Sequence, residues 1–435
     1  MSRRVSSPLT STLALLLLAT SGTGCIAEQE SPPPTAEPEP PPVVDPAQER
    51  GPDKADTTGS CAGSTCDGRN LAGTCWCDGD CVQYGDCCHD RRAVCEAAPP
   101  PPPSGHVDVP ELGSDANRAL TVVGTSADGL DGPRDLAFHP ERANELWTVN
   151  LGFDGVVLFF GAGTSSQRAE VRRDSHADHF MSSVSAIAFG APGTFGTAQE
   201  SVNGGNGFMG PVLWSSDLDV FARENQEPSS PLLGSHLDML HQSPLSMGLA
   251  WSGRGNGYWV FDGYHGHVVY YDFQHDHGPG YDDHSDGIVR FYPEARVTRR
   301  RGVPGHMELD AASGWLYVAD PGGGRVIRLQ TTTGMVAGSL RAQNEPLAEF
   351  SRISGADVET FATGLSQPSG VALRDTRLFV SDFATGDLVV FSTEGGQELG
   401  RLATGAQGIQ GITFGPDGKL WYVDAVASTV VRIDP

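Results

Sequence analysis

The sequence has few basic residues and lacks the usual phosphate-binding motifs. Its 435 residues include 54 acidic and only 29 basic side chains, a formal net charge of −25. Such a surface repels a phosphate backbone, so nucleic acid is a poor candidate partner. The only basic run, residues 299–301, is expected at a solvated strand edge. The glycines at 322–324 lie between two expected strands and form a turn, because a P-loop must open a helix and carry Lys-Ser or Lys-Thr.

Long apolar runs are confined to the N-terminus. Arg3 and Arg4 precede an apolar run over residues 13–19, and small residues follow. This pattern predicts a secretory signal over residues 1–24 and no membrane-spanning helix after it. The unpaired Cys25 stands where bacterial lipoproteins carry the lipidated cysteine, although Gly22 replaces the leucine expected three residues earlier. We expect a monomer held at the outer membrane or cell surface only by this lipid, with plain secretion as the alternative.

The other eight cysteines lie within 35 residues and indicate a disulfide framework. A segment this small cannot bury a core of its own, so cross-links would stabilise it. A zinc module is the alternative, but the segment lacks flanking paired histidines. Spacing alone does not choose the pairing. The framework comprises Cys61, Cys66, Cys75, Cys77, Cys81, Cys87, Cys88 and Cys95.

The adjacent Cys87-Cys88 and the Cys75-x-Cys77 step give residues 57–98 a resemblance to the somatomedin B domain. The resemblance implies the pairs Cys61–Cys77, Cys66–Cys95, Cys75–Cys88 and Cys81–Cys87. It also implies a protein-binding surface around the central cysteines, where Asp78 and Tyr84 match the family. Gly79 and Gln83 depart from it, so the partner's identity does not transfer. Proline-rich, acidic linkers at 25–56 and 99–106 flank this domain and are expected to be extended spacers.

Residues 107–435 contain a repeated pattern of short strands. Five strands end in an acid or amide, and another short strand precedes each of them. A third strand follows, and we expect it to begin six residues after the acid or amide. The five end residues are Asn150, Asp262, Asp320, Asp382 and Asp424. A less regular copy begins at Ile187. Six such meanders predict an all-β fold, a six-bladed β-propeller preceded by the small disulfide-rich domain.

The pattern of residues 368–373 followed by 378–382 resembles the NHL-repeat propellers. The last copy lacks an outermost strand, so residues 120–123 are expected to supply it and close the ring. The recurring acids Asp320, Asp382 and Asp424 are expected to cap turns by accepting hydrogen bonds from backbone amides.

Histidines concentrate between positions 236 and 306, and propeller geometry sorts them into two candidate metal clusters. Imidazole and carboxylate groups at a channel mouth suit zinc or a similar divalent ion. The first cluster, expected on one face, contains His236, His241, Asp262, His265 and His306. The second, expected at the opposite rim, suggests calcium, although Pro293 occupies the place of the twelfth-position glutamate of a calcium loop. Its members are His275, His277, Asp282, His284 and Asp286.

These observations predict an exported, lipid-anchored surface protein acting as a binding scaffold. Its two modules would bind an extracellular protein or a small-molecule ligand. The alternative is a metal-dependent propeller enzyme, a lyase or lactone hydrolase, that uses the histidine-lined face. The chain departs from the zinc-binding amidating lyases, whose inner strands carry histidines. Here the innermost positions are Arg134, Ser185, Met247, Gly305, Ser369 and Gln410.

Overall fold

The computed structural model describes residues 61, 66, 75–78, 88, 95, 109–114, 117–202, 208–281 and 283–435. The chain divides into two compact units, Met1–Arg91 and Arg92–Pro435. Five residues with predicted roles lie outside the described part, and those roles stay predictions. They are Cys25, Cys81, Tyr84, Cys87 and Asp282.

Disulfide bonds link the described cysteines of the N-terminal segment. Two bonds, with Cα–Cα distances of 5.7 and 5.0 Å, join Cys61 to Cys77 and Cys75 to Cys88. They confirm two of the four implied pairs, and Cys66 and Cys95 are disulfide-bonded as well. The sulfurs of Cys61, Cys77 and Cys88 lie close together. Because each belongs to a disulfide, they offer no thiolate to zinc, and the zinc-module alternative loses its ligands.

The second unit is a six-bladed β-propeller, as the repeat predicts. Each blade is a four-stranded antiparallel meander. Blade 1 contains β2 Pro133–Phe138, β3 Glu145–Asn150, β4 Gly155–Phe160 and β5 Arg168–Arg172. Blade 2 contains β6 Val184–Phe189, β7 Thr194–Gln199, β8 Val212–Ser215 and β9 His236–Met239. Blade 3 contains β10 Ser246–Trp251, β11 Gly257–Asp262, β12 His267–Asp272 and β13 Ile288–Arg296.

The remaining blades follow the same order from the centre outwards. Blade 4 contains β14 Met307–Asp310, β15 Trp315–Asp320, β16 Arg325–Gln330 and β19 Val358–Ala362. Blade 5 contains β20 Pro368–Arg374, β21 Arg377–Asp382, β22 Asp387–Ser392 and β23 Glu398–Ala403. Blade 6 contains β24 Ile409–Phe414, β25 Leu420–Asp424, β26 Thr429–Asp434 and β1 Ala119–Gly124.

The N-terminal strand closes the ring, which confirms the predicted clasp. Strand β1 pairs antiparallel with β26, and Leu120 lies opposite Ile433. This pairing covers the outer edge of blade 6, which would otherwise present unpaired amides and carbonyls to other chains.

Helix is scarce in the described ranges. Between Val109 and Pro435, the described residues contain one α-helix, α1 (Ala177–Phe180), and two 3₁₀ turns, Pro110–Leu112 and Ser126–Asp128. No helix in these ranges has the length and apolar character needed to cross a membrane.

Apolar side chains fill the spaces between neighbouring blades. The central strands consist largely of Val, Leu and aromatic residues, which suit pleated sheets buried on both faces. Trp147, Trp214 and Trp421 are fully buried between blades. Trp147 stacks on Phe221 and meets Phe195 edge-on, so rings from blades 1 and 2 interlock.

The acids at the ends of the second strands cap turns, as predicted. Asp320 accepts hydrogen bonds from the amides of Thr298 and Gly323, and Asp382 accepts from Gln367 and Ala384. Each carboxylate thus fixes its own turn and the loop leading into its blade. The third strands begin five residues after the acid or amide, not six, because each includes one more residue at its start, which is Gly155 in blade 1 and a polar residue in the other four.

An insertion in blade 4, which the repeat does not predict, extends the sheet of blade 3. Between β16 and β19, the chain forms β17 (Met335–Ser339) and β18 (Glu349–Ser354). Strand β18 pairs parallel with β13 on the outer edge of blade 3, and β17 pairs antiparallel with β18. The insertion therefore joins two blades at their rim.

Candidate functional site

One end of the central channel is closed by buried charges. The guanidinium of Arg134 lies 2.6 Å from Glu200, and Glu200 also contacts Arg299 at 2.6 Å and accepts from the Gly302 amide. Burial alone would raise the pKa of Glu200, but the two arginines and the Gly302 amide lower it. Gln410 donates to the Gly302 carbonyl at 3.0 Å, so the loop that leads into blade 4 contacts the inner strand of blade 6. Arg299, which was expected at a solvated strand edge, instead belongs to this group of charged side chains. We call the group of Arg134, Glu200 and Arg299 the plug.

Hydrogen bonds between neighbouring inner strands reinforce the closed end. Ser185 donates to the carbonyl of Ser246 at 2.7 Å, and Ser369 donates to that of Pro304 at 2.8 Å. Arg134 donates to the carbonyl of Ser183. The innermost positions thus hold adjacent blades together and satisfy buried carbonyl groups, as buried polar groups require.

Beyond the plug, the channel widens into a cavity of about 370 Å³ that is lined by all six inner strands. Its walls are polar and apolar in about equal parts, and Leu136, Ile187, Leu249, Val371 and Ile412 contribute apolar groups. The exposed residues Gly253 and Ala311 also line it, so the cavity opens to solvent at that end.

Asp135 and His306 form the polar, deep end of this cavity. His306 Nε2 donates to the carbonyl of Arg134 at 3.1 Å, which directs Nδ1 toward Asp135 Oδ2 at 3.3 Å. Asp135 Oδ2 also accepts from the amide of Ile187 at 2.9 Å. His306 therefore links blade 4 to blade 1, and Asp135 links blade 1 to blade 2.

Glu308 is the chemically distinctive residue of the cavity. It follows Met307 on the inner strand of blade 4 and lines the cavity half-buried. Within the described residues its carboxyl group makes no hydrogen bond or ion pair. Burial, and secondarily the charge of Asp135, raise the pKa of Glu308 to about 7. An ionised carboxyl group that is partly buried without a partner destabilises the fold, and such groups concentrate at functional sites.

The structure does not bring the first predicted metal cluster together. His236 is buried in β9, where its Nδ1 donates to the Leu233 carbonyl at 2.8 Å and its ring stacks on Phe180. His265 contacts the turn-capping Asp262 at 2.7 Å. Burial lowers the pKa of His265, but the hydrogen bond and charge of Asp262 outweigh that effect and raise it. His306 lies in the channel, so only His241 remains for a cluster at the rim.

His241 instead meets His284 from the second predicted cluster, and both contact Glu345, which no motif in the sequence marks as a ligand. His241 Nδ1 lies 2.9 Å from Glu345 Oε2, and His284 Nδ1 lies 3.2 Å from the same oxygen. The two imidazole rings are 5.0 Å apart. The expectation that the two clusters lie on opposite rims is therefore wrong for this pair.

The loop between β12 and β13 explains this meeting. It runs along the outer strand of blade 2, where the His277 amide donates to Leu237 and the Gly280 amide donates to His236. The rest of the second cluster lies nearby. His277 Nε2 is 3.2 Å from Asp286 and 4.0 Å from Asp238. His275 contacts Asp286 at 2.9 Å and is largely exposed.

Comparisons with known proteins add no assignment of function. No protein-family model and no curated protein matches the chain. Among solved structures, it is similar to a streptogramin B lyase, with 12% identity, 73% of this chain and 98% of that chain covered, and a TM-score of 0.42. It is also similar to an auxiliary nutrient binding protein from Bacteroides thetaiotaomicron, with 11% identity, 73% of this chain and 76% of that chain covered, and a TM-score of 0.47. A calcium-binding regucalcin from Agrobacterium tumefaciens is similar as well, with 12% identity, 73% of this chain and 92% of that chain covered, and a TM-score of 0.44. At these values the similarities carry no argument about a site.

Proposed function

We propose that this chain is an exported surface protein whose propeller binds a small molecule in its central cavity. The observation that carries the proposal is Glu308, a carboxyl group without a protein partner inside the central cavity. The cavity opens to solvent at one end, and at its other end His306 donates to the carbonyl of Arg134, whose side chain pairs with Glu200. A concave site at the mouth of a channel, with apolar walls in part and a few convergent polar groups, is typical of small-molecule sites.

The lining indicates the chemistry of the ligand. The aliphatic side chains in the walls favour a ligand with an apolar portion, and the carboxyl groups of Glu308 and Asp135 favour an amine or another hydrogen-bond donor. A cationic amine would lower the raised pKa of Glu308 again, because an opposite charge favours the ionised carboxylate. The resulting charge-assisted hydrogen bond would form away from bulk water, where it is stronger than at the surface.

A binding experiment with matched ligands tests this proposal. Thermal unfolding of the mature chain would be measured with a panel of primary amines that carry apolar groups, alongside their uncharged isosteres. We expect selected amines to raise the melting temperature and the isosteres to have little effect. Glu308→Gln should weaken amine binding about tenfold or more, and Ala311→Trp should block the mouth. Glu394→Gln, which changes an exposed glutamate, is the control. Equal binding by wild type and Glu308→Gln would contradict the proposal.

Export and lipid anchoring form a separate part of the proposal. The supporting pattern is the N-terminal apolar run followed by Cys25. If Cys25 carries the lipid, Cys25→Ser should move the protein from the detergent-extracted membrane fraction to the soluble fraction. An unchanged distribution would favour plain secretion.

The disulfide-rich segment is proposed to be a somatomedin B-like module that binds an extracellular protein. The two confirmed disulfide pairs support this proposal. Asp78, one of the two residues matched to the family's binding surface, is buried, so any contact would need other side chains.

The enzyme alternative has less support. A metal-dependent lyase or lactone hydrolase on the predicted face needs converging imidazoles, whereas His236, His265 and His306 each have separate hydrogen-bond partners.

A further inference from the structure

We propose that His241, His284 and Glu345 bind one divalent metal ion of the zinc type, at a rim site separate from the central cavity. The three residues come from distant parts of the chain. His241 follows the outer strand of blade 2, His284 belongs to the β12–β13 loop, and Glu345 lies between β17 and β18 of the insertion. Their ligand atoms all lie within 4.8 Å of one another.

The donor set and its geometry suit zinc. Two imidazoles and one carboxylate, with water in the fourth position, are a common zinc coordination, whereas calcium prefers oxygen ligands throughout. Donor atoms around a tetrahedral zinc ion lie roughly 3.3 Å apart, given bonds of about 2.05 Å. The two nitrogen-to-carboxylate distances, 2.9 and 3.2 Å, need only a small expansion to admit the ion.

The burial of Glu345 is compatible with a cation at this point. The side chain of Glu345 is 1% exposed, and its carboxylate accepts hydrogen bonds but, across the described ranges, pairs with no lysine or arginine. A metal ion would add the opposite charge that favours a buried carboxylate. The imidazoles that contact Glu345 Oε2 belong to His241 and His284, and both are neutral when they bind metal.

Outer contacts hold the ligands in place. The second oxygen of Glu345, Oε1, accepts from the His241 amide at 2.9 Å and from Gln242 Nε2 at 2.7 Å. Phe208 stacks on the His241 ring at 3.9 Å and fixes its orientation. Orientation of ligands by such neighbours is characteristic of metal sites and tunes their affinity.

The metal would fasten the insertion to the propeller. Glu345 lies in the segment that connects β17 to β18, and the adjacent Ala348 amide donates to the carbonyl of Gly287 at 3.0 Å. Strand β18 already pairs with β13. Binding one ion to this segment, the β12–β13 loop and the end of blade 2 would add a link between the insertion and blade 2, with which β17 and β18 form no sheet.

Metal titration of the mature chain, prepared without a histidine tag and stripped with a chelator, tests the site. We expect one Zn²⁺ per chain, and Co²⁺ in its place should show the absorption bands of four-coordinate nitrogen and oxygen ligation. Replacing a residue that only orients a ligand weakens metal affinity about 10- to 100-fold. Glu345→Gln and His284→Gln change a ligand itself, so each should weaken the affinity about 100-fold or more. Thermal unfolding of the metal-free variants would establish that they fold, and the two substitutions provide independent tests.

His265→Ala and Asp286→Asn are the matched controls. The first breaks another histidine–carboxylate pair, and the second removes a ligand atom from the neighbouring Asp238–His277–Asp286 group. Both variants should retain the metal. The proposal is overturned if the stripped protein takes up no stoichiometric zinc, or if the control variants lose it while Glu345→Gln keeps it.

Discussion

Replacing Glu308 with glutamine should stabilise the protein at alkaline pH and leave its stability unchanged at acidic pH. The substitution keeps the shape of the side chain and removes its charge. In the folded state the pKa of Glu308 is about 7, against an ordinary value of 4.5. The folded chain therefore binds this proton more tightly than the unfolded chain, and stability is lost as the pH rises from about 4.5 through about 7.

The size of the effect follows from the pKa difference. The full pKa difference corresponds to a gain of about 3 kcal/mol in the free energy of unfolding of the variant at pH 8. Because water at the open mouth screens the charge of Glu308, we expect a gain of about 2 kcal/mol. For a domain of this size, that difference raises the melting temperature by roughly 3 °C.

Paired melts of wild type and Glu308→Gln at pH 5 and pH 8 measure this effect, because other titrating groups cancel in the difference. Glu394→Gln should show no such pH-dependent gain. A variant that is equally stable to wild type at both pH values, or less stable at pH 8, would show that Glu308 is not an unpaired acid whose ionised form destabilises the fold.

Two further predictions concern the propeller frame. A chain beginning at Gly129 lacks β1 and should melt at a lower temperature or aggregate, because the edge of β26 is left unpaired; an unchanged melt would disprove the clasp's role. Glu200→Gln should lower the free energy of unfolding by about 3 kcal/mol at neutral pH, because Arg134 then stays buried without its carboxylate. Glu398→Gln, at a partly exposed ion pair, should lower it by about 1 kcal/mol or less in the same urea titration. Since the pKa of Glu200 is lowered in the folded state, its stabilising effect should be lost as the pH falls from its ordinary value of 4.5 through the lowered folded value.

The blades and the clasp could be predicted because the repeat is regular. A fixed spacing between capping acids such as Asp320 and the following strand recurs, so five blades align with one another. The insertion could not be predicted in this way. The alternation of β18 identifies a strand but does not tell which sheet edge it joins, and β18 pairs with blade 3 although it lies within the sequence of blade 4.

The candidate sites depend on contacts that sequence spacing does not encode. Glu308 alternates with Met307 and Leu309, a pattern that usually marks a solvent-facing strand position. On the innermost strand of a propeller, that position faces the channel. Glu345 and His284 come together because two irregular loops fold against blade 2, and no periodicity describes such loops.

The cavity next to the plug is proposed to bind a small molecule through Glu308. A crystal structure of the mature chain with the tightest-binding amine would show where that ligand binds. We predict ligand density between the six inner strands, with the amine within hydrogen-bond distance of the Glu308 carboxylate. Ligand bound at the rim or on the outer strands, with the cavity holding only water, would contradict the claim.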